Sequence, residues 1–193
     1  MLDNLKKYHI ILASNSPRRQ QLLAALGLDF EQRVLPGLDE TYPPHLQGGD
    51  IARYVAELKT NAYLSHLQDN DLLLTADTIV YLDGKVYGKP ADRAEACQML
   101  AELSGKTHHV YTGVCLATKS WQRSFFADTE VRFSSLSEEE ISYYVDHFQP
   151  FDKAGAYGIQ EWIGYVAVEG MQGSYFNVMG LPIQRIYQEL KHL

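Results

Sequence analysis

Two adjacent arginines follow three small polar residues at the start of a predicted helix. Residues 14–19 have the sequence SNSPRR and come directly after an apolar run. The N-terminus of a helix attracts anions, because its backbone N–H groups are free and the helix dipole is positive there. The positive charges of Arg18 and Arg19 are repelled by the positive end of that dipole. A negatively charged group is therefore expected nearby. Arginine binds phosphate well since its planar fork donates two parallel hydrogen bonds. Taken alone, the stretch also fits an ordinary helix capped by Ser16 with two solvated arginines.

Two lysines are further candidates for binding an anion. Lys59 is expected beside the apolar stripe of its helix, from where its ammonium group can reach into a cleft. Lys89 lies between a glycine and a proline in the sequence YGKP, so the backbone around it is restricted. Each lysine, considered singly, fits a solvated surface position as well.

A carboxylate stands within a segment that should be buried. Asp77 follows the apolar run LLLTA and precedes TIV. Buried carboxylates are rarely tolerated without a cation, a metal or hydrogen-bond donors, although capping a β-bulge explains Asp77 equally well. Asp39 and Glu40, in a polar loop, add further oxygen ligands. Acidic oxygens together with phosphates suit Mg²⁺ or Mn²⁺, so a divalent cation is expected.

The histidines and cysteines do not form a recognisable metal or redox motif in the sequence. His108 and His109 are consecutive on a predicted strand, so they point to opposite faces and at most one faces any site. Cys97 and Cys115 lie inside predicted elements without C-x-x-C spacing, and we expect both to be reduced, buried and apolar in character.

The overall charge limits the classes of partner. A net charge of −7 argues against a general nucleic-acid binder or a membrane-surface protein, which would normally show a basic face. A hydrophobic content of 46% over 193 residues is typical of a globular chain that folds as a single domain, residues 1–193. No signal-peptide or membrane-spanning pattern is present, so a cytoplasmic location is expected.

The hydrophobic pattern predicts alternating strands and helices in the first half of the chain. A strand over residues 8–13 leads to a helix that Ser16 caps and Gly27 ends. Residues 29–35 alternate like a strand, and a helix is predicted from Asp50 onward. A buried strand and a hairpin turning at Asp83-Gly84 follow within residues 71–90.

The second half combines long strands with shorter helices. Residues 91–103 are predicted to be helical, and residues 107–118 and 123–134 form two long β-type runs. Ser137 and Glu140 make a capping box for the next helix. A strand is predicted at residues 163–168, and the last helix starts at Pro182. This order predicts an α/β fold with a mixed sheet flanked by helices.

Eight short segments, in order along the chain, resemble the Maf family of nucleoside triphosphate pyrophosphatases. They are LASNSPRRQQLL, LDE, ELKTNA, ADTIV, GKP, LSGKTHHVYTG, DKAGAYGIQ and GSYFNVMGLP. The resemblance implies a long twisted sheet in a fold related to inosine-triphosphate pyrophosphatases, with two lobes around a central cleft. It also implies a homodimer; the absence of nucleic-acid and membrane partners is expected from the acidic net charge instead.

The resemblance further implies a reaction and the residues that perform it. A nucleoside triphosphate and water give the monophosphate and pyrophosphate, with Mg²⁺ or Mn²⁺ as cofactor. Ser14, Arg18 and Arg19 would bind the triphosphate, together with the catalytic lysines Lys59 and Lys89. Glu40 and Asp77 would be the metal-linked carboxylates, with Asp77 as the proton acceptor from water.

The same resemblance narrows the substrate to pyrimidine nucleotides. The motifs ADTIV and DKAGAYGIQ are typical of the branch that hydrolyses dTTP and UTP, and modified pyrimidine nucleotides are included in the expectation. Arg19, Thr78 and Gln160 occupy the positions linked to specificity. A glutamine amide suits uracil or thymine, because it accepts from N3–H and donates to O4.

Three alternatives remain open from the sequence. A nucleotide-binding regulator of septum formation would use the same phosphate clamp without turnover, although binding alone does not need a base such as Asp77. A purine-specific enzyme of the same fold is disfavoured by Thr78 and Gln160. A phosphatase acting on the terminal phosphate would release orthophosphate instead of pyrophosphate.

Overall fold

The chain folds into one mixed β-sheet and a set of helices. The computed structural model describes residues 2–193, and its strands are β1 His9–Leu12, β2 Glu31–Gln32, β3 Asp71–Leu82, β4 Lys85–Tyr87, β5 Thr107–Ala117, β6 Gln122–Phe133 and β7 Val168–Gln172. The seven-stranded sheet has the order β2-β1-β3-β5-β6-β7, with β4 paired to β3. Strand β1 is parallel to β2 and β3, whereas β4 is antiparallel to β3 and β7 to β6. The predicted mixed sheet is confirmed.

The helices are interleaved with these strands. They are α1 Pro17–Ala24, α2 Gly49–Tyr63, α3 Arg93–Leu103, α4 Glu138–Phe148, α5 Trp162–Val166, α6 Tyr175–Met179 and α7 Ile183–Lys191. Short 3₁₀ helices occupy Asp3–Lys7, Leu64–His66, Pro150–Asp152 and Ala154–Ala156. Among residues 2–193, no helix is long and apolar enough to cross a membrane.

The chain divides into two compact units, each made from several segments. The first unit contains the chain up to Asp77 together with Thr112–Ala127 and Gly180–Leu193. The second unit contains Thr78–Tyr111 and Asp128–Met179. The boundary on β3 therefore falls between Asp77 and its neighbour Thr78.

Helix α2 is fixed in the first unit by close contacts with the sheet. Thr75 on β3 donates its hydroxyl to the carbonyl of Ala56 at 2.7 Å, and the hydroxyls of Thr60 and Thr75 are 2.8 Å apart. Gly113 on β5 has no side chain, and a Cβ there would lie 2.2 Å from the carbonyl carbon and oxygen of Ala52. The helix backbone therefore approaches the sheet at a distance that only glycine permits.

The second unit has its own apolar core. It is built from β3, β4, α3, β5, β6 and α4, and its largest fully buried side chains include Tyr144, Phe133, Leu100 and Leu103. The hairpin between β3 and β4 turns at Asp83 and Gly84, which both have positive φ (51° and 82°), as a two-residue type I′ turn requires.

Most predicted element ends agree with the structure. Ser16 caps α1 with Pro17 at the first helical position, and Gly27 follows the helix with φ of 72°. Ser137 and Glu140 form the predicted capping box of α4. Pro182 immediately precedes α7. The capping residues in the local sequence are thus sufficient to predict where these helices begin and end.

The predicted strand over residues 29–35 is wrong in length, because only Glu31–Gln32 pairs with β1. The hydroxyl of Tyr63 explains the early end of the strand. It accepts from the backbone N–H of Leu35 at 2.7 Å and donates to the carbonyl of Arg33 at 3.0 Å. A side chain of α2 therefore forms the hydrogen bonds that these backbone groups would have made in a longer pairing of β2 with β1.

The predicted strand over residues 163–168 is also wrong. Residues 162–166 form α5, and β7 begins only at Val168. Ile163 and Ala167 are buried while Tyr165 and Val166 are exposed, which is the i, i+4 spacing of a helix and not the alternation of a strand. The apolar run was too short to distinguish these two periods by sequence.

Candidate functional site

Two carboxylates share one ammonium group in the first unit. The Nζ atom of Lys59 lies 2.8 Å from Oδ1 of Asp77 and 3.1 Å from Oε1 of Glu40. The side chains of Lys59 and Asp77 are only 14% and 15% exposed, whereas that of Glu40 is 53% exposed. The buried cation that Asp77 was expected to need is therefore Lys59, and it also contacts the loop acid.

These three side chains come from different elements. Lys59 is on α2, next to Thr60, whose contacts hold the helix to the sheet. Asp77 is in the middle of β3, and its neighbour Ala76 is completely buried. Glu40 belongs to the loop between β2 and α2. Two of the three groups thus stand on rigid elements, and the third is on a loop.

The N-terminus of α1 has the capped geometry that the sequence predicts. The hydroxyl oxygen of Ser16 accepts from the backbone N–H of Arg19 at 3.4 Å. Ser14 is buried, and its hydroxyl oxygen accepts from the backbone N–H of Ser16 at 3.2 Å. Gln32 on β2 donates to the carbonyl of Ser14 at 3.0 Å, which fixes the chain between β1 and α1.

The guanidinium of Arg19 is held by the backbone on two sides. Its Nε atom donates to the carbonyl of Gly180 and its Nη1 atom to the carbonyl of Ala76, both at 2.8 Å. A third contact joins Nη1 to the hydroxyl oxygen of Ser14 at 3.5 Å. Arg19 therefore connects the start of α1 with the residue that immediately precedes Asp77.

Burial is the main influence on the acidity of Arg19. Burial lowers the pKa of the guanidinium, and the neighbouring charge of Arg18 lowers the pKa as well, whereas Asp77 and Glu40 raise it. The expected negative charge near the arginines is consequently present within the protein itself. Two carboxylates and two partly buried cations, Arg19 and Lys59, form one electrostatic group in this unit.

The carboxylates of Glu40 and Asp77, on either side of Lys59, can bind a hard divalent cation only if further ligands complete its coordination shell. Within residues 2–193, no group of three or more histidine, cysteine or acidic side chains is arranged to hold a metal ion. Glu40 and Asp77 supply two carboxylates directed to the same ammonium. Mg²⁺ is usually bound in this way, by one or two carboxylates with water and substrate phosphate as the remaining ligands. The two residues fit such a cation.

The remaining candidate residues belong to the second unit. Lys89 is exposed in the loop after β4, and this loop is fixed by a hydrogen bond from the backbone N–H of Gly155 to the carbonyl of Gly88 at 3.0 Å. Thr78 follows Asp77 on β3, and Gln160 is half-buried before α5. The structure brings together Ser14, Arg19, Glu40, Lys59 and Asp77; the roles of Arg18, Lys89, Thr78 and Gln160 stay predictions.

The sequence did not indicate a buried polar cluster beside Gln160. The ammonium of Lys153 lies 3.2 Å from Oε1 of Glu161 and 2.7 Å from Oδ1 of Asp152. The hydroxyl of Tyr144 donates to Oε2 of Glu161. Lys153 is 7% exposed, although its segment is rich in turn residues, and no sequence pattern connects it with a tyrosine on α4.

His108 and His109 differ in burial, as their consecutive positions on β5 predict, whereas the predicted burial of both cysteines is confirmed for Cys115 and wrong for Cys97, which is only partly buried. His108 is completely buried with its Nε2 atom 2.8 Å from the Tyr157 hydroxyl, whereas His109 contacts Asp128 at the surface. Both cysteines, Cys97 and Cys115, are free thiols. None of these side chains belongs to the group around Lys59.

The sequence matches one protein family over nearly its whole length. The model of the Maf-like protein family matches residues 9–193. Three curated relatives are each named dTTP/UTP pyrophosphatase. The relative from Bacteroides thetaiotaomicron is 60% identical over 193 residues and the relative from Bacteroides fragilis 58%, and in both pairs each chain is covered completely. The relative from Flavobacterium johnsoniae is 49% identical, with 99% of this chain and 98% of the relative covered.

A solved structure shares the fold. The HAM1 protein from Coxiella burnetii superposes with a TM-score of 0.52 at 16% sequence identity, covering 96% of this chain and 100% of that protein. At this identity the likeness concerns the fold alone. It confirms the α/β architecture that the sequence predicts.

Proposed function

The chain belongs to the Maf family, and from this premise we propose that it hydrolyses dTTP and UTP to the monophosphate and pyrophosphate. The observation that carries the proposal is the full-length identity, 60% over 193 residues, with a relative named for this activity. The group formed by Arg19, Lys59, Glu40 and Asp77 supports it, because phosphoryl transfer requires placed cations and a base.

We assign the proton transfer to Asp77. The hydrogen bond from Lys59 engages Oδ1 of Asp77 and fixes the orientation of the carboxylate. Oδ2 is therefore the oxygen that would accept a proton from the water attacking the α-phosphorus. A base placed in this way typically contributes about 10²–10⁴-fold to the rate.

The cations stabilise the charge that develops on the phosphates. Arg19 is fixed by the carbonyls of Ala76 and Gly180, so its position is set before a substrate binds. Ser14, at the N-terminus of α1, adds a hydroxyl group. Preorganised donors of this kind favour the transition state because they need not reorient during the reaction. We propose that Arg18 and Lys89 also bind the triphosphate.

We propose Mg²⁺ or Mn²⁺ as the cofactor, with Glu40 and Asp77 as the residues that would hold it. Bound there, the cation would make water more acidic and neutralise phosphate charge. The protein contributes the two carboxylates and the ammonium of Lys59 that orients them.

Pyrimidine selection is assigned to Arg19, Thr78 and Gln160. The Oε1 atom of Gln160 is buried and has no hydrogen-bond partner among residues 2–193. A buried acceptor without a partner is costly, and N3–H of uracil or thymine is a donor of the required kind. The unpartnered oxygen supports a base-binding role for Gln160. The proposed substrates include modified pyrimidine nucleotides that keep N3–H.

The test is a panel of nucleoside triphosphates with Mg²⁺ or Mn²⁺, in which pyrophosphate and orthophosphate are measured separately. We expect pyrophosphate release with dTTP and UTP and much slower turnover of purine nucleotides. Turnover of purines only, release of orthophosphate, or binding without turnover would contradict the proposal. The last result would favour the regulator of septum formation, which the enzymatic names of the full-length relatives disfavour.

We also propose that the protein is a homodimer, as the family resemblance implies, and that it is located in the cytoplasm. Size-exclusion chromatography with light scattering would test the dimer, because one chain has a mass of 21.9 kDa. A mass near that of a single chain at all concentrations would contradict this assignment.

A further inference from the structure

A single buried hydroxyl group contacts two residues on either side of Gln160 in the chain, Gly158 two positions before it and Glu161 immediately after it. The hydroxyl of Tyr144, on α4, accepts from the backbone N–H of Gly158 at 3.0 Å and donates to Oε2 of Glu161. Tyr144 is completely buried. Gln160 lies between these two contacts along the chain, so the position of its backbone depends on the tyrosine.

The other oxygen of Glu161 is also engaged. Its Oε1 atom lies 3.2 Å from the ammonium of Lys153, and both side chains are mostly buried, 9% and 20% exposed. Burial and the neighbouring Glu161 raise the pKa of Tyr144, so its hydroxyl keeps the proton that it donates. A buried network of hydrogen bonds and an ion pair of this kind makes the local structure rigid.

Very little space remains around the amide of Gln160. A Cβ added at Gly158 would lie 2.9 Å from Nε2 of Gln160 and 3.0 Å from the carboxyl carbon of Glu161. The loop therefore needs glycine at this position for the amide to stay where it is. Packing around Gly158 restricts the amide, whose buried Oε1 atom has no hydrogen-bond partner among the described residues.

We propose that Tyr144 is a positioning residue for base selection, acting through Gly158 and Glu161 on the amide of Gln160. The inference rests on the proposed function and adds a residue that does not itself touch the substrate. The direction of the amide determines whether an acceptor or a donor meets position 3 of the pyrimidine. Uracil presents N3–H and O4, whereas cytosine presents an unprotonated N3 and an amino group, so a displaced amide discriminates less between them.

The first test is Tyr144→Phe, which keeps the ring and removes the hydroxyl. We expect the ratio of kcat/KM for UTP to that for CTP to fall about tenfold, as loss of one hydrogen bond between Gln160 and the base implies. A purely structural role would lower kcat/KM for both substrates by the same factor, and an unchanged ratio would overturn the proposal.

Tyr157→Phe is the matched control. It removes another buried tyrosine hydroxyl of the same unit, one that contacts His108 at 2.8 Å instead of Gly158 and Glu161. We expect it to lower the melting temperature without changing the UTP to CTP ratio. An equal change of the ratio in both variants would mean that any buried defect has this effect, and would overturn the specific role of Tyr144.

Gly158→Ala keeps the proposal testable if Tyr144→Phe fails to fold. The added methyl group displaces the amide of Gln160 directly, and we expect the same fall in the UTP to CTP ratio. A ratio equal to that of the native chain would overturn the proposal, since the amide would then tolerate displacement.

A double-mutant cycle with Gln160→Leu tests whether Tyr144 acts through Gln160. In the Gln160→Leu background, Tyr144→Phe should leave the ratio unchanged, because no amide remains to be positioned. A further tenfold change of the UTP to CTP ratio would show that Tyr144 does not act through Gln160, and would overturn the proposal. Failure of the native chain to hydrolyse UTP would instead refute the proposed function, so the two failures are distinguishable.

Discussion

The Nζ atom of Lys59 lies 2.8 Å from Oδ1 of Asp77, and both side chains are about one-seventh exposed. Such a pair is expensive to remove from water, and its attraction often does no more than offset that cost. Stability alone is therefore a weak reason for placing it in the middle of β3. A catalytic use, in which the lysine orients the base, explains the arrangement better.

Asp77→Asn should preserve the fold while removing most turnover. The amide has nearly the same shape as the carboxylate and can still accept a hydrogen bond from Lys59, but it cannot accept the proton. We expect kcat to fall about 10²–10⁴-fold. Pyrophosphate release measures the loss, and calorimetric titration with a non-hydrolysable UTP analogue should show that binding persists.

Asp69→Asn is the control for this change, because Asp69 is an exposed acid of the same unit that contacts Lys119. Its kcat should equal that of the native chain. If Asp77→Asn retained more than a tenth of the native kcat, Asp77 would lose its role as the base.

Arg19→Lys should impair activity although the positive charge is kept. The guanidinium reaches the carbonyls of Ala76 and Gly180 through two different nitrogens, a geometry that one ammonium cannot reproduce. We expect kcat/KM for UTP to fall by about 10–100-fold, as loss of one or two charged hydrogen bonds implies. Arg185→Lys, at an exposed arginine on α7, is the control and should leave kcat/KM unchanged. Equal kcat/KM for both variants would contradict the assigned role of Arg19.

Gly113→Ala should destabilise the protein and reduce activity together. The methyl group would meet the backbone of Ala52, so α2 must move, and α2 carries Lys59. Overpacking of this kind typically costs about 1–3 kcal/mol. Urea unfolding measures the loss of stability.

Gly88→Ala is the comparison for Gly113→Ala, because a Cβ at Gly88 meets no atom within 4 Å. Its free energy of unfolding should stay close to that of the native chain. If both variants unfolded at the same urea concentration, the tight approach of α2 to β5 would not limit stability.

His108 should make the stability of the protein depend on pH below neutrality. Burial, with a smaller contribution from His109, lowers the pKa of His108 from 6.5 to about 4. Between these values the unfolded chain binds a proton that the folded chain does not, so stability falls as the pH is lowered from 6.5 to 4. Burial of neutral His108 thus makes a contribution to the free energy of unfolding that is complete above pH 6.5. About 3 kcal/mol of it is lost when the pH falls through 4.

Urea unfolding at several pH values measures that contribution. His108→Gln should have a smaller difference in unfolding free energy between pH 6.5 and 4.5 than the native chain. His147→Gln, at an exposed histidine, should keep the native difference. If His108→Gln had the native pH dependence, burial of His108 would not be its source.

The sequence predicts the parts of this protein that depend on neighbouring residues. The cap at Ser16, the capping box at Ser137 and the turn at Asp83-Gly84 all follow from local chemistry, and all are confirmed. The wrong length of the strand predicted at residues 29–35 has a distant cause. The strand after Asp29 ends early because the hydroxyl of Tyr63 forms hydrogen bonds with its backbone. A tyrosine about thirty residues away leaves no signal in the local sequence.

By itself, the sequence determined the family, the mixed α/β class and the residue types suited to phosphate chemistry. Only the tertiary structure decided which of those residues meet. It joined Lys59 on α2 to Asp77 on β3 and to Glu40 on a loop, and it tied Arg19 to two backbone carbonyls. It also placed the hydroxyl of Tyr144 against Gly158 and Glu161. The physical reason is that caps and turns depend on contacts within a few residues, whereas ion pairs and buried networks form only when distant segments pack together.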